Sequence, residues 1–64
     1  MKNRVKQLRK QKGLRQEDMA KMLGVSRQTI IAIENDKYNP SLELAMKMAK
    51  LLKLHVDEIF ILDN

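Results

Sequence analysis

The 64 residues include no cysteine and no tryptophan, one histidine, one proline, two glycines, one tyrosine and one phenylalanine. Without cysteine there is no disulfide and no thiolate metal site. His55 cannot assemble a metal centre alone, and only its neighbours Asp57 and Glu58 keep one conceivable, so no metal or cofactor is assigned. No nucleophile–base set emerges either. Ser26 and His55 fall on different predicted elements and both read as helix caps, which leaves no catalytic residue and no enzyme. No apolar run approaches the roughly 20 residues that span a bilayer. The N-terminus also lacks the apolar stretch of an export signal, and both features suit a cytoplasmic protein. Residues 1–64 are expected to form one domain. A chain this short buries only roughly 60% of its unfolded surface, so good helix packing and self-association are the remaining sources of stability.

Acid is the other shortage. Residues 1–15 hold Lys2, Arg4, Lys6, Arg9, Lys10, Lys12 and Arg15 without one Asp or Glu. The rest of the chain is slightly acidic, so the net charge of +5 belongs to the N-terminal segment. Such a block suits an anionic partner, either nucleic acid or an anionic membrane face. It also suits a plain solvated helix surface, and composition leaves these readings open.

Helical periodicity runs from end to end, and nothing alternates with a period of two for long enough to make a good strand. The first helix is expected over 2–12, with Val5, Leu8 and Arg9 inward, closed by Gly13. The second covers about 16–23 with Met19, Ala20 and Leu23 on one face. Glu17 and Asp18 sit in its first turn, where negative charge suits the helix dipole. Gly24 ends it, and Ser26 caps a third helix over 27–35. After the turn chemistry of "NDKYNP", Ser41 caps a fourth helix over 42–53. Its inner face is read as Leu42, Ala45, Met48, Ala49 and Leu52, with Leu44 and Leu51 as a second apolar stripe and Lys47, Lys50 and Lys53 outside. A short fifth helix, about 56–60, ends in "IFIL". The fold class is all-α.

The third helix poses the main question. In "VSRQTIIAIE", Ile30 and Ile33 suit a core, whereas Gln28, Ile31, Ala32 and then Asn35 line the opposite face. A short helix gains nothing by turning an amide and a branched apolar side chain away from its own core, unless something else packs there. Between Gln16 and Asn35, a small Ala20, a turn-forming Gly24 and the apolar Met19, Leu23, Val25, Ile30 and Ile33 meet the steric demands of two short helices crossing steeply. This set resembles the DNA-binding helix-turn-helix.

Together, "LRKQKGLRQEDMAKMLGVSRQTIIAIENDKYNPSLELAMKMAKLL" and "DEIF" resemble the Cro/C1-type helix-turn-helix family, also called the Xre family, from Val5 to Phe60. The resemblance implies a five-helix, lambda-repressor-like domain whose third helix enters the major groove of double-stranded DNA. On that reading Gln28 can pair with adenine, Arg27 with guanine or a phosphate, and Ile31 and Ala32 can touch a thymine methyl. Packing on a neighbouring loop is the other reading of Ile31. Backbone contacts are expected from Gln16, Ser26, Asn35, Lys37, Tyr38 and Asn39, with Lys10 and Lys12 from the basic helix and Arg15 beside Gln16. Thr29 is open between phosphate contact and packing, and Tyr38 between the DNA backbone and a lid on the core. Lys2 and Lys6 read as solvated. Arg9 and Glu34 match a partly buried ion pair of the family and are structural.

Three positions depart from the family pattern. Arg15 replaces a usual Ser or Thr cap, while Lys53 and Asp36 stand where glycine is frequent. Leu44, Leu51, Ile59, Phe60, Ile61 and Leu62 offer more apolar surface than five short helices cover. A two-fold homodimer built there would set two recognition helices about 34 Å apart over a palindrome. Alternatively "IFIL" folds back on its own domain, or residues 60–62 form a short strand pairing with the N-terminus or a partner chain. The expected function is a sequence-specific transcriptional regulator acting as a repressor. The alternative is an antitoxin-like protein-binding module that also binds its own operator. No small-molecule effector site is evident.

Overall fold

In the computed structural model, which describes residues 1–63, each helix begins and ends where a local hydrogen-bonding device stands. The order is β1 (Lys2–Asn3), α1 (Val5–Gln11), α2 (Gln16–Leu23), α3 (Arg27–Glu34), α4 (Leu42–Leu52), α5 (Val56–Ile59) and β2 (Phe60–Ile61). Ser26 Oγ accepts the Thr29 N–H at 3.2 Å, and Ser41 Oγ accepts the Leu44 N–H at 3.1 Å, so the expected caps of α3 and α4 are in place. Arg15 has no acceptor with which to cap α2. The second half of a capping box survives without it, because Asp18 Oδ2 accepts the Arg15 N–H at 2.9 Å.

Four helices end alike. A residue in the left-handed region follows each, at Gly13 (φ 71°), Gly24 (φ 73°), Asp36 (φ 59°) and Lys53 (φ 58°). In each case the next N–H reaches back to a carbonyl five residues earlier: Leu14 to Arg9, Val25 to Ala20, Lys37 to Ala32 and Leu54 to Ala49. These are Schellman closures, which satisfy carbonyls the helix itself leaves unpaired. A Cβ added at Gly13 or Gly24 meets nothing within 4 Å, so positive φ alone demands glycine there.

The core is contiguous. Val5 and Leu8 of α1, Met19, Ala20 and Leu23 of α2, and Ile30 and Ile33 of α3 meet Leu44, Ala45, Met48 and Leu52 of α4, with Ile59 and Phe60 closing the end. Three expectations are corrected here. Lys2 and Asn3 are not helical. They pair antiparallel with β2, Lys2 opposite Ile61 and Asn3 opposite Phe60, and α1 starts only after Asn3 Oδ1 has taken the Val5 N–H at 3.0 Å. On α4, burial centres on Leu44, Met48 and Leu52, whereas Leu42, at the first helical position, projects beyond the end of the core and is 75% exposed. The apolar C-terminal cluster is also divided. Leu44, Ile59 and Phe60 are buried in the protomer's own core and Leu51 packs against it, which leaves Ile61 and Leu62 exposed.

Lys53 holds a left-handed conformation at a cost that glycine avoids. The variant Lys53→Gly should therefore gain roughly 0.5–1 kcal/mol in urea unfolding, the strain relieved being partly offset by glycine's greater unfolded-state entropy. A loss of stability would mean that the lysine side chain supports the fold.

Candidate nucleic-acid interface

Everything that presents α3 to the outside begins with one buried charge pair. Arg9 Nε donates to Glu34 Oε2 at 2.7 Å, and the two side chains are 8% and 2% exposed. A second guanidinium nitrogen donates to the Leu14 carbonyl at 2.7 Å, which fixes the chain between α1 and α2. Glu34 Oε1 also accepts Gln16 Nε2 at 3.1 Å, drawing the start of α2 onto the end of α3. Arg27 reaches Gln16 Oε1 at 3.4 Å, so the chain of contacts runs from α1 to both ends of α3. Every buried side-chain nitrogen and oxygen among the described residues has a partner, which is what makes a buried ion pair tolerable.

With Ile30 and Ile33 committed to the core, the other side of α3 is set free. Arg27, Gln28 and Asn35 are exposed, while Ile31 and Ala32 are partly buried without joining the core cluster. The four side chains expected to face a groove are therefore all accessible on one helix. Ser26 and Thr29 occupy its first turn, their hydroxyls 3.0 Å apart, and serve the cap.

The flanking residues divide. Lys37, Tyr38 and Asn39 follow α3 and are exposed. Tyr38 is no lid on the core. It is 48% exposed and lines a shallow hollow with Thr29 and Ser41 beside the turn. Lys10 shares a hollow with Asn3 and Glu34, close to the end of α3. Lys12 does not join it. Two residues further on is more than half a helical turn, and Lys12 lies instead beside Leu52, Leu54 and Glu58. Arg15 is occupied locally, 3.1 Å from both Glu17 and Asp18. The Arg15 side-chain hydrogen bond, aided by its backbone N–H, holds the Asp18 carboxyl below the ordinary range for aspartate.

The expectation that Gln16 is free for phosphate meets a rival, since its amide already serves Glu34 and Arg27. Asn3 was missed altogether: its Nδ2 donates to the Ile33 carbonyl at 2.7 Å and to Asp36 Oδ1 at 2.9 Å. The available signal was an asparagine just before an apolar-periodic run, which is cap chemistry.

Comparison with known proteins agrees with this geometry. A family profile described as "Helix-turn-helix" matches residues 5–59. The chain belongs to the Cro/C1-type helix-turn-helix family. Among relatives of this family, an uncharacterized HTH-type transcriptional regulator of Methanocaldococcus jannaschii is 56% identical, over all of this chain and 97% of its own length. The HTH-type regulator YgzD of Bacillus subtilis is 44% identical with the same coverage. The restriction-modification controller protein C.AhdI of Aeromonas hydrophila superposes with a TM-score of 0.79 at 35% identity, over 89% of this chain and 86% of that one. The family is one of DNA-binding transcriptional regulators, and the expected mainly helical fold is the one observed.

Breaking the central pair from one side leaves a buried charge unpaired. Arg9→Met alone should cost about 3–5 kcal/mol, and the Arg9→Met/Glu34→Met double variant should cost less than the sum of the two singles. Urea unfolding in a Lys53→Gly background, which offsets a small part of the loss, measures the coupling. Additive costs would mean that the two charges do not depend on each other.

Proposed function

We propose that this protein is a sequence-specific transcriptional repressor that binds a palindromic operator in the cytoplasm as a homodimer, each copy placing α3 in the major groove. The single observation behind the reading is the outward strip on α3, where Gln28 is exposed and Ile31 stands apart from the core. In the proposed complex Gln28 pairs with an adenine edge, Arg27 leaves Gln16 for guanine or phosphate, and Ile31 and Ala32 meet thymine methyls. Ser26, Thr29, Gln16, Arg15, Lys10, Asn35, Lys37, Tyr38 and Asn39 set the register on the phosphates. Residues 1–64 act as one unit, with the helix-turn-helix at 16–35. Occupancy of a duplex excludes other proteins from the same site, so binding alone yields repression.

The proposed dimer face is redrawn from the exposed residues. Leu42 and Leu62 are 75% and 74% exposed, and with Met1, Pro40 and Val56 they border an apolar groove of about 500 Å³. Its proposed occupant is the same groove of a second copy, as a two-fold requires.

Two outcomes are expected. Gln28→Ala should weaken binding to the preferred duplex by about 1–3 kcal/mol and leave binding to unrelated duplex nearly unchanged, as read by fluorescence anisotropy. Equal weakening on every duplex would move Gln28 to the phosphate backbone. In sedimentation at micromolar concentration, wild type should be dimeric and Leu42→Asp monomeric with unchanged helicity; a monomeric wild type rules out this dimer.

A further inference from the structure

Asn3 lies 30 residues from Ile33 near the end of the recognition helix, yet its three side-chain hydrogen bonds converge there and at the start of α1. Its Oδ1 takes the Val5 N–H at 3.0 Å, while its Nδ2 supplies the Ile33 carbonyl at 2.7 Å and Asp36 Oδ1 at 2.9 Å. The three partners together fix the orientation of the amide. The backbone of Asn3 is held as well, opposite Phe60 in the two-stranded sheet, and the next N–H, that of Arg4, donates to the Ile59 carbonyl at 2.8 Å. The amide is thus mounted on a strand tied to the core through Ile59 and Phe60, and it grips the chain where α3 ends.

That grip falls on a sensitive place. Asp36 sits at φ 59°, a conformation that non-glycine residues adopt at a cost. The closure around it, Asp36 N–H to the Ile33 carbonyl at 3.1 Å and Lys37 N–H to the Ala32 carbonyl at 2.8 Å, sets the direction in which residues 37–39 leave the helix. Asn3 holds both the carbonyl and the side chain on which the closure turns.

We propose that Asn3 is a positioning residue for DNA binding, which fixes how the chain leaves the recognition helix and so where Lys37, Tyr38 and Asn39 meet the phosphates. The proposal rests on the reading above that this stretch lies along the duplex backbone. Asn3 itself touches no DNA. It acts through Ile33 and Asp36, and it makes the terminal sheet part of the DNA-binding apparatus.

The test uses the full chain, with wild type, Asn3→Asp and Asn3→Asp/Asp36→Asn, at a temperature where circular dichroism shows all three folded. Asn3→Asp keeps the acceptor for Val5 but loses both donors and sets a second carboxylate against Asp36. Adding Asp36→Asn restores the 3–36 hydrogen bond with donor and acceptor exchanged, at a residue type that tolerates positive φ. Two quantities are read: affinity for a duplex selected from a random pool, across a salt series, and hydrogen exchange of the Asp36 and Lys37 amides. Asn3→Asp should bind on the order of tenfold more weakly on every duplex, with a shallower salt dependence because phosphate contacts are lost. Its amide at position 37 should exchange faster, and the double variant, which regains the 3–36 bond but not the bond to the Ile33 carbonyl, should recover part of both properties. Unchanged affinity and salt dependence in Asn3→Asp, with wild type binding normally, overturns the proposal. So does weakening that Asp36→Asn fails to relieve. A wild type that binds no duplex at all overturns the functional reading beneath it and takes the proposal with it, even if the amide exchange behaves as expected.

Discussion

The Arg9–Glu34 ion pair is the constraint on which the rest of the structure depends. The apolar contacts among the three short helices α1, α2 and α3 are non-directional. A bidentate guanidinium–carboxylate pair adds directional bonds to that packing. Arg9 reaches Glu34 and the Leu14 carbonyl, and Glu34 in turn reaches Gln16. Moving any one of these elements leaves a polar group without its partner at less than a tenth exposure. The result is a frame that leaves one face of α3 outside the core, with Gln28 exposed and Ile31 and Ala32 partly so.

Around that frame the chain turns sharply with few special residues. Two glycines serve two of the four left-handed helix ends, while Asp36 and Lys53 serve the others at some cost. The two strained positions differ in their support. Asp36 has the Asn3 amide holding its side chain, whereas among the described residues Lys53 has no side-chain hydrogen bond. Strain at Asp36 lies at the end of α3 and is braced; strain at Lys53 lies at the end of α4.

The sequence was legible where the determining contacts are local. Ala20, Gly24 and Ser26 fall within a few residues of the partners that explain them, so the helix-turn-helix, its cap and the outward strip of α3 could all be read from spacing. The left-handed residues at 36 and 53 could be read too, from what stands where glycine is usual. The two-residue strand at Lys2–Asn3 was not legible as such. It depends on Phe60 and Ile61, nearly sixty residues away, and a pair of residues carries no period. The exchange of Leu42 for Leu44 in the core has a similar cause, because the first turn of a helix can overhang the end of its partner and periodicity does not show where the partner stops. The apolar surface at the C-terminus is divided differently from the expectation. Ile59 and Phe60 were spent inside, and the exposed patch is made by Leu42, Val56 and Leu62.

What emerges is a small scaffold in which the Arg9–Glu34 pair, the helix caps and an asparagine brace together present a strip of mixed polar and apolar side chains. Such a strip is costly to leave in water and well matched to base edges and methyl groups. The most direct test is an NMR titration of the labelled protein with a duplex it selects from a random pool. The Gln28 side-chain amide and the Ile31 methyl groups should shift and saturate together, while the buried Met48 methyl stays in place. Saturable shifts confined to Lys47 and Lys50 on α4 and Lys53 just after it, with α3 unmoved, would contradict the account.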